Sequence, residues 1–514
     1  MAGPLARITR RPRTLRRFRR PRRQVSKQER VARRVGQDES PMHQPLNQSG
    51  VSSLRRRIAT AALALACCCA AGSALAQGAA RAGANLDVLH YTARIEPDIG
   101  AKSLRGQVSI RLALRSDGAQ QLEFDAGDLD IERVGERGQA LNFEKVEQRL
   151  RVRLPKPGAA GERHEIDIAY RGTPRHGLEF HPERGEVYTI FSTSQWLVCI
   201  DAPSERASLD LTLTVPSGLK AVGNGRLVAK SALGGRRDSY RWRQDMAMPS
   251  YVYGFAAGRY AEAGATGENG ALRFLSADLQ AAQLRRVFAD SADMMRFFGR
   301  RAGIRYRGDY TQALVAKTVG QELDGFSLMS EAYGREVLEK PENESLIAHE
   351  LAHQWWGNMV TSRDWGHFWL NEGFANFMAA AYMQHRFGDA AYRERVDAWK
   401  RRVDKLRESG KDHALVYASW NKPSADDRAV VYQKGAYVLH MLREELGERA
   451  FWRGIRAYTR AYYGHSVVTA DFRAAMERAS GRDLGGFFAR WVESAENVPL
   501  KAEATPVKAD VPAK

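Results

Sequence analysis

His349 and His353, four residues apart in His349-Glu350-Leu351-Ala352-His353, can present two imidazoles to one metal ion. On a helix, positions i and i+4 lie one above the other on the same face. Eighteen intervening residues lead to Glu372, inside Trp369-Leu370-Asn371-Glu372-Gly373. A carboxylate arriving from a second helix completes a His₂Glu set and leaves the fourth tetrahedral position for water, the arrangement of a hydrolytic zinc site with one ion. Glu350 sits about 100° round the helix from His349, beside the metal rather than on it. That is where a general base for the water belongs.

The elements needed to position these groups can be read around them. Residues 342–359 are expected as a helix, with Glu342 and Glu344 at its start, where acids suit the helix dipole, and with Leu346, Ile347 and Leu351 as apolar anchors. A second helix is expected over 371–386, carrying Glu372 near its N-terminus and Phe374, Phe377 and Met378 for packing. Residues 278–300 read as one amphipathic helix with Leu279, Leu284, Val287, Phe288, Met294 and Phe297 inward, and 310–316 as a strand. From Val88 to about Tyr260 the period is two instead, as in Val108, Ile110, Leu112 and Leu114 or Leu209, Leu211, Leu213 and Val215, with turn-rich breaks between the runs. The expected fold class is therefore multidomain α and β. A β-rich N-terminal domain over 86–262 precedes a mainly helical domain over 271–499 that carries the candidate zinc site, with 263–270 as a linker and 500–514 as a disordered tail.

Taken together, these segments resemble the gluzincin metallopeptidases of the aminopeptidase N and leukotriene hydrolase family, over roughly residues 86 to 495. Besides the ligand motif, the resemblance rests on Trp355-Trp356-Gly357-Asn358, Trp369 to Ala375, Tyr432-Gln433-Lys434-Gly435-Ala436, and Cys199-Ile200-Asp201-Ala202-Pro203 followed by Ala207 to Leu211. It implies a thermolysin-like catalytic domain, a short form without the family's large C-terminal helical domain, and hydrolysis of N-terminal residues from peptides. It also implies that Tyr432 polarises the substrate carbonyl. Family aminopeptidases carry Gly-x-Met-Glu-Asn, whose glutamate binds the free α-amine; here the corresponding run is Gly320-Gln321-Glu322-Leu323-Asp324-Gly325-Phe326-Ser327-Leu328. Counting back from Leu328 puts Asp324 at the glutamate position, one methylene shorter, whereas re-registering the loop puts Glu322 there. A solvated loop acid is the third reading. A zinc endopeptidase or other hydrolase with altered N-terminus recognition, or a zinc-stabilised binding protein without turnover, are the alternatives, and the intact Glu350 argues against the second. His367 lies near Glu372 in sequence and could support it; His385, His413, His440 and His465 have no ligand spacing, and Trp355 and Trp356 are expected in the core.

The net charge of +19 over 514 residues would suggest a nucleic-acid partner until it is located. Residues 1–57 hold 17 Lys or Arg against 3 Asp or Glu, so the other 457 residues carry only +5. The basic run Arg16 to Arg23 holds a single aromatic, Phe18, and precedes a secretion signal, so no nucleic acid is expected for the mature protein. That signal comprises Leu54-Arg55-Arg56-Arg57, an apolar stretch from Ile58 to Gly72, and Ala74-Leu75-Ala76, with cleavage after Ala76. Met42 is an alternative start. A periplasmic or secreted enzyme without stable membrane insertion is expected; a membrane anchor through 58–76 or a lipoprotein are the alternatives. Cys67, Cys68 and Cys69 leave with the signal, so Cys199 alone remains and no intrachain disulfide is expected.

Overall fold

The computed structural model describes residues 82–494, apart from 318–319, 418–419 and 421–422. The basic segment, the signal with its three cysteines, and the 500–514 tail lie outside the described residues. The described residues fall in one compact unit.

Alternation builds the first part. In Ser103–Leu114 the side chains of Leu104, Val108, Ile110, Leu112 and Leu114 are buried while their neighbours point out, and Arg206–Pro216 repeats the rule. Register keeps these faces together, with Val108 opposite Ala93 on one side and Ile168 on the other. The result is an eight-stranded sheet running Arg226–Leu233, Arg237–Pro249, Arg206–Pro216, Leu86–Asp98, Ser103–Leu114, Arg163–Gly172, Asp130–Glu136 and Gln139–Ala140 in space. Its inner face shares a core with Leu122, Phe124, Leu150 and Val152 of a three-stranded sheet. A four-stranded sheet of Lys220–Gly223, Phe255–Gly258, Glu186–Thr189 and Leu178–His181 leads towards the second part.

The first half of the stretch expected as a linker, 263–266, belongs instead to a strand, and 267–270 is the turn that follows it. Ala261–Thr266 pairs antiparallel with Ala271–Ser276 and opens a five-stranded sheet, continued by Tyr310–Val315, Phe326–Ser330 and Gly320–Leu323. An edge strand needs little apolar content, and here Ala263 alone faces the core, so its sequence looks like a loop. The middle strands run parallel, and Tyr310–Val315 is buried at all six positions, as a strand covered on both faces must be.

The expected helix over 278–300 is two, Ala281–Val287 and Ser291–Ala302, although all six expected core side chains are buried. The break falls before Asp290, which takes the cap position of the second helix and ion-pairs with Arg386 at 2.7 Å. The first ligand helix spans Ser345–Ala352, shorter than expected, preceded by a 3₁₀ turn at Pro341–Asn343 and followed by a tight turn through Gly357. The second spans Trp369–Phe387 and is followed by Asp389–Glu408 and by Gly435–Tyr462.

The two parts are joined by a shared core in which Tyr188, Val222, Ala256 and Tyr260 meet Leu275, Ala313, Val315, Leu323 and Phe326. Buried polar tethers add to it. Arg206 donates to Thr361 Oγ1 at 2.8 Å and to the Asn358 carbonyl at 3.1 Å. Tyr251 donates its hydroxyl proton to the Gly357 carbonyl at 2.7 Å and accepts from Asn371 Nδ2 at 3.0 Å.

Candidate active site

The two ligand helices bring His349, His353 and Glu372 together. The two Nε2 atoms are 3.0 Å apart, and Glu372 Oε2 lies 3.3 Å from that of His349 and 3.4 Å from that of His353. Three donors around a tetrahedral zinc with arms of about 2.0–2.1 Å would stand roughly 3.3–3.4 Å apart, so this set fits the ion. Its other requirements are also met. His353 Nδ1 lies 3.0 Å from the Trp356 carbonyl, which can only accept; Nδ1 is therefore protonated, and Nε2, which faces the cluster, is the atom left to bind an ion once it gives up its own proton. Among the described residues, Glu372 Oε2 and Glu350 Oε2 are buried without a hydrogen-bond partner, as atoms reserved for an ion and a reacting molecule would be.

Close approach of backbone brings up the opposite wall. A Cβ on Gly373 would come within 2.9 Å of the Gly435 Cα, so only glycine at both positions lets the Glu372 helix meet the segment that carries Tyr432. That segment, Val430–Lys434, forms a π-helical turn. Asn376, one turn beyond Glu372, donates to the Tyr432 carbonyl at 3.0 Å, and the Tyr432 ring stacks on the His349 imidazole at 6.1 Å between centroids. Lys434, itself buried, is anchored by Asp412 at 2.7 Å.

Electrostatics make the pocket a trap for positive charge. Glu322, Glu350 and Glu372 share one buried volume with the imidazoles. Burial alone would lower His353, but Glu372 and Glu322 outweigh it and raise the imidazole to about 10. Burial would raise Glu372, and His353 and His349 instead hold it near 2. Burial and then Glu322 push Glu350 well above the usual carboxylate range, with His353 opposing. Burial, Glu372, Glu322 and Glu350 keep the Tyr432 hydroxyl protonated, and therefore a donor.

The structure separates Glu322 from Asp324. Glu322, on the edge strand Gly320–Leu323, groups with Glu350 and His353 and lines the same cavity of about 550 Å³ as the three ligands. Asp324 does not line that cavity. It forms, with Gly325 at φ +82°, the two-residue turn between Leu323 and Phe326, and it opens on a different cavity beside Tyr306, Met359 and Tyr463. Asp324, one of the two acids expected to take the substrate's amine, thus stands apart from the donor set. The reason is the hairpin register, which takes the chain off the strand after Leu323. Asn224 of the β-rich part donates to the Asp324 carbonyl at 2.9 Å, and Gln354 donates to the Leu323 carbonyl at 3.0 Å, which pins the turn.

Other expectations place themselves plainly. Trp355 and Trp356 are core residues. His367 is occupied by Thr469 Oγ1 at 3.0 Å rather than by Glu372. His385 pairs with Asp293, His413 with Asp427, and His440 with the Tyr392 hydroxyl. The sequence reading missed Asn376, Tyr251, Gln354 and Arg395. Only Asn376 carried a local signal, four residues beyond Glu372 on the same helical face.

Two family descriptions match the chain: the peptidase family M1 domain over residues 326–491 and the peptidase M1 N-terminal domain over residues 88–252. Leucine aminopeptidase 2 of Aspergillus oryzae is 26% identical over 425 residues, covering 77% of this chain and 68% of that protein. Aminopeptidase M1-D of Oryza sativa subsp. japonica is 26% identical over 464 residues, 82% of this chain and 52% of its own length. The chain thus spans about two thirds of the first relative and half of the second. An M1 zinc metallopeptidase from Deinococcus radiodurans shares the fold, with a TM-score of 0.71 at 24% identity over 82% of this chain and 97% of that one. A mutant of that protein bound to a Tyr-Ser-Ala substrate superposes with a TM-score of 0.72.

Proposed function

The chain belongs to peptidase family M1, and on that premise we propose that it is a zinc-dependent aminopeptidase that removes residues from the free amino ends of peptides. The observation that carries this reading is Glu322 beside Glu350 and the His349/His353/Glu372 donor set, in one cavity. Bound zinc supplies a Lewis acid and lowers the pKa of water towards neutrality. Glu350 accepts the proton of the attacking water on its unpartnered carboxylate oxygen and passes it to the nitrogen of the departing peptide. Tyr432 donates its phenolic proton in a hydrogen bond to the carbonyl oxygen as charge develops there. Glu322 receives the substrate's α-ammonium in a charge-assisted hydrogen bond and so sets the cleaved bond one residue from the end.

The aminopeptidase names of the relatives and the Tyr-Ser-Ala substrate of the Deinococcus radiodurans protein support the same reading. Glu322 also removes the motive for an endopeptidase, which rested on the missing glutamate. The test is release of N-terminal residues from free and N-acetylated peptides by zinc-replete protein, with and without chelator. Free peptides alone should be cleaved, and only without chelator. Equal cleavage of the acetylated series overturns the exopeptidase reading. Export, with a mature N-terminus at Gln77, is part of the proposal; N-terminal sequencing of protein from the periplasm or medium checks it.

A further inference from the structure

The cavity is lined by four carboxylates, Glu322, Glu336, Glu350 and Glu372, and by one guanidinium, that of Arg395. The carboxylates are accounted for. Three belong to the chemistry above, and Glu336 accepts from Asn343 Nδ2 at 2.6 Å. Arg395 has no hydrogen bond or ion pair among the described residues, although its side chain is half-buried. Of the six other basic residues of the same helix, Asp389–Glu408, three are paired, Lys400 with Asp404 at 2.9 Å, Arg402 with Asp426 at 2.8 Å and Arg407 with Asp412 at 3.2 Å, and Arg393, Arg401 and Lys405 are exposed to solvent, so Arg395 is set apart by its half-buried place on the cavity wall. The helix neighbours of Arg395 at three and four residues are Ala391, Tyr392, Ala398 and Trp399, none of which can neutralise it.

An unpaired cation on the wall of a cavity otherwise lined by acids is matched by an anion on the ligand. Guanidinium stays charged at any working pH and presents a planar fork of donors that fits a carboxylate in two parallel bonds. Glu322 lies on the sheet wall of the cavity and Arg395 on the helical wall. A peptide whose ammonium is held on the first wall therefore extends past the ligands towards the second. The volume, about 550 Å³, suits a short peptide.

We propose, resting on the aminopeptidase reading, that Arg395 is a specificity-determining residue that binds a carboxylate on the departing side of the substrate. The preferred substrates are then short peptides whose C-terminal carboxylate, or whose acidic side chain just beyond the cleaved bond, reaches the helical wall.

Two substrate series separate these sources. Di-, tri- and tetrapeptides are compared as free acids and as C-terminal amides, and C-terminally amidated tripeptides are compared with Asp or Asn at the second position. In wild-type full-length protein, the carboxylate-bearing member of at least one series should exceed its neutral counterpart about tenfold or more in kcat/KM, mostly through KM. The ratio should collapse towards one in Arg395→Gln and recover in part in Arg395→Lys. Calorimetric binding of the same pairs to Glu350→Gln should show the same preference without turnover. If wild type cleaves all pairs equally, or if Arg395→Gln keeps the ratio, the inference is overturned while the proposed function stands. If no substrate is cleaved, both fall.

Discussion

The helical wall and the sheet wall of the cavity are built by different rules. On the helical wall, the His349–His353 distance comes from helix periodicity, and the approach of Glu372 and Tyr432 comes from two glycines that let their backbones meet. On the sheet wall, the position of Glu322 depends on a two-residue turn and on tethers from a domain about a hundred residues earlier in the chain. The spacing of the two histidines is therefore set by local geometry, whereas the recognition end is set by long-range register. Local geometry tolerates change elsewhere in the molecule, and register does not.

Mutations can break or sharpen this contrast. The largest effect is expected at Glu350. Glu350→Gln should lower kcat by about 10²–10⁴-fold while metal analysis still finds one zinc, because the ligands do not depend on it. Loss of the ion would mean that the base also builds the metal end. Tyr432→Phe should follow at roughly 10²–10³-fold in kcat with little change in KM, read in steady-state kinetics on a dipeptide. On the sheet wall, Glu322→Gln should cost about 10–100-fold in kcat/KM for free-amine substrates, and Asp324→Asn should stay near wild type. The reverse order would return Asp324 to the amine site and undo the contrast.

The smallest effect is one of stability. Burial lifts Asp324 from 3.8 to about 7, with Arg206 opposing. The unfolded chain then gives up this proton at lower pH than the folded one, so stability falls as pH rises from about 4 to about 7. Glu186, raised to about 7, and Glu344, raised to about 8, act in the same direction, in each case chiefly through burial. Thermal unfolding between pH 5 and 8 should therefore show Tm decreasing. Asp324→Asn should flatten the slope in part, and an unchanged slope would mean that Asp324 is ionised when folded.

What could be read from the sequence follows the same division. His349, Glu350, His353 and Glu372 are legible because their spacing is a property of one or two helices. The alternating strands were legible for the same reason. Glu322 against Asp324 was not settled, because both have the same parity and would share a face in a continuous strand. The deciding signal was nevertheless present: Asp324-Gly325 between Glu322-Leu323 and Phe326-Ser327 is the dipeptide that favours a two-residue hairpin. The strand at 261–266 was hidden by alanine and glycine, and Arg395 by distance, since nothing near it in the chain marks it as facing the ligands.

The hydroxyl of Tyr251 touches the Gly357 carbonyl after the first ligand helix and the Asn371 amide beside Glu372 on the second. One side chain from the β-rich domain thus acts as a keystone between the two halves of the donor set. The smallest autonomous unit of this enzyme is consequently larger than its catalytic domain. A fragment beginning at the five-stranded sheet would carry every residue of the reaction and still lack the piece that holds them in register.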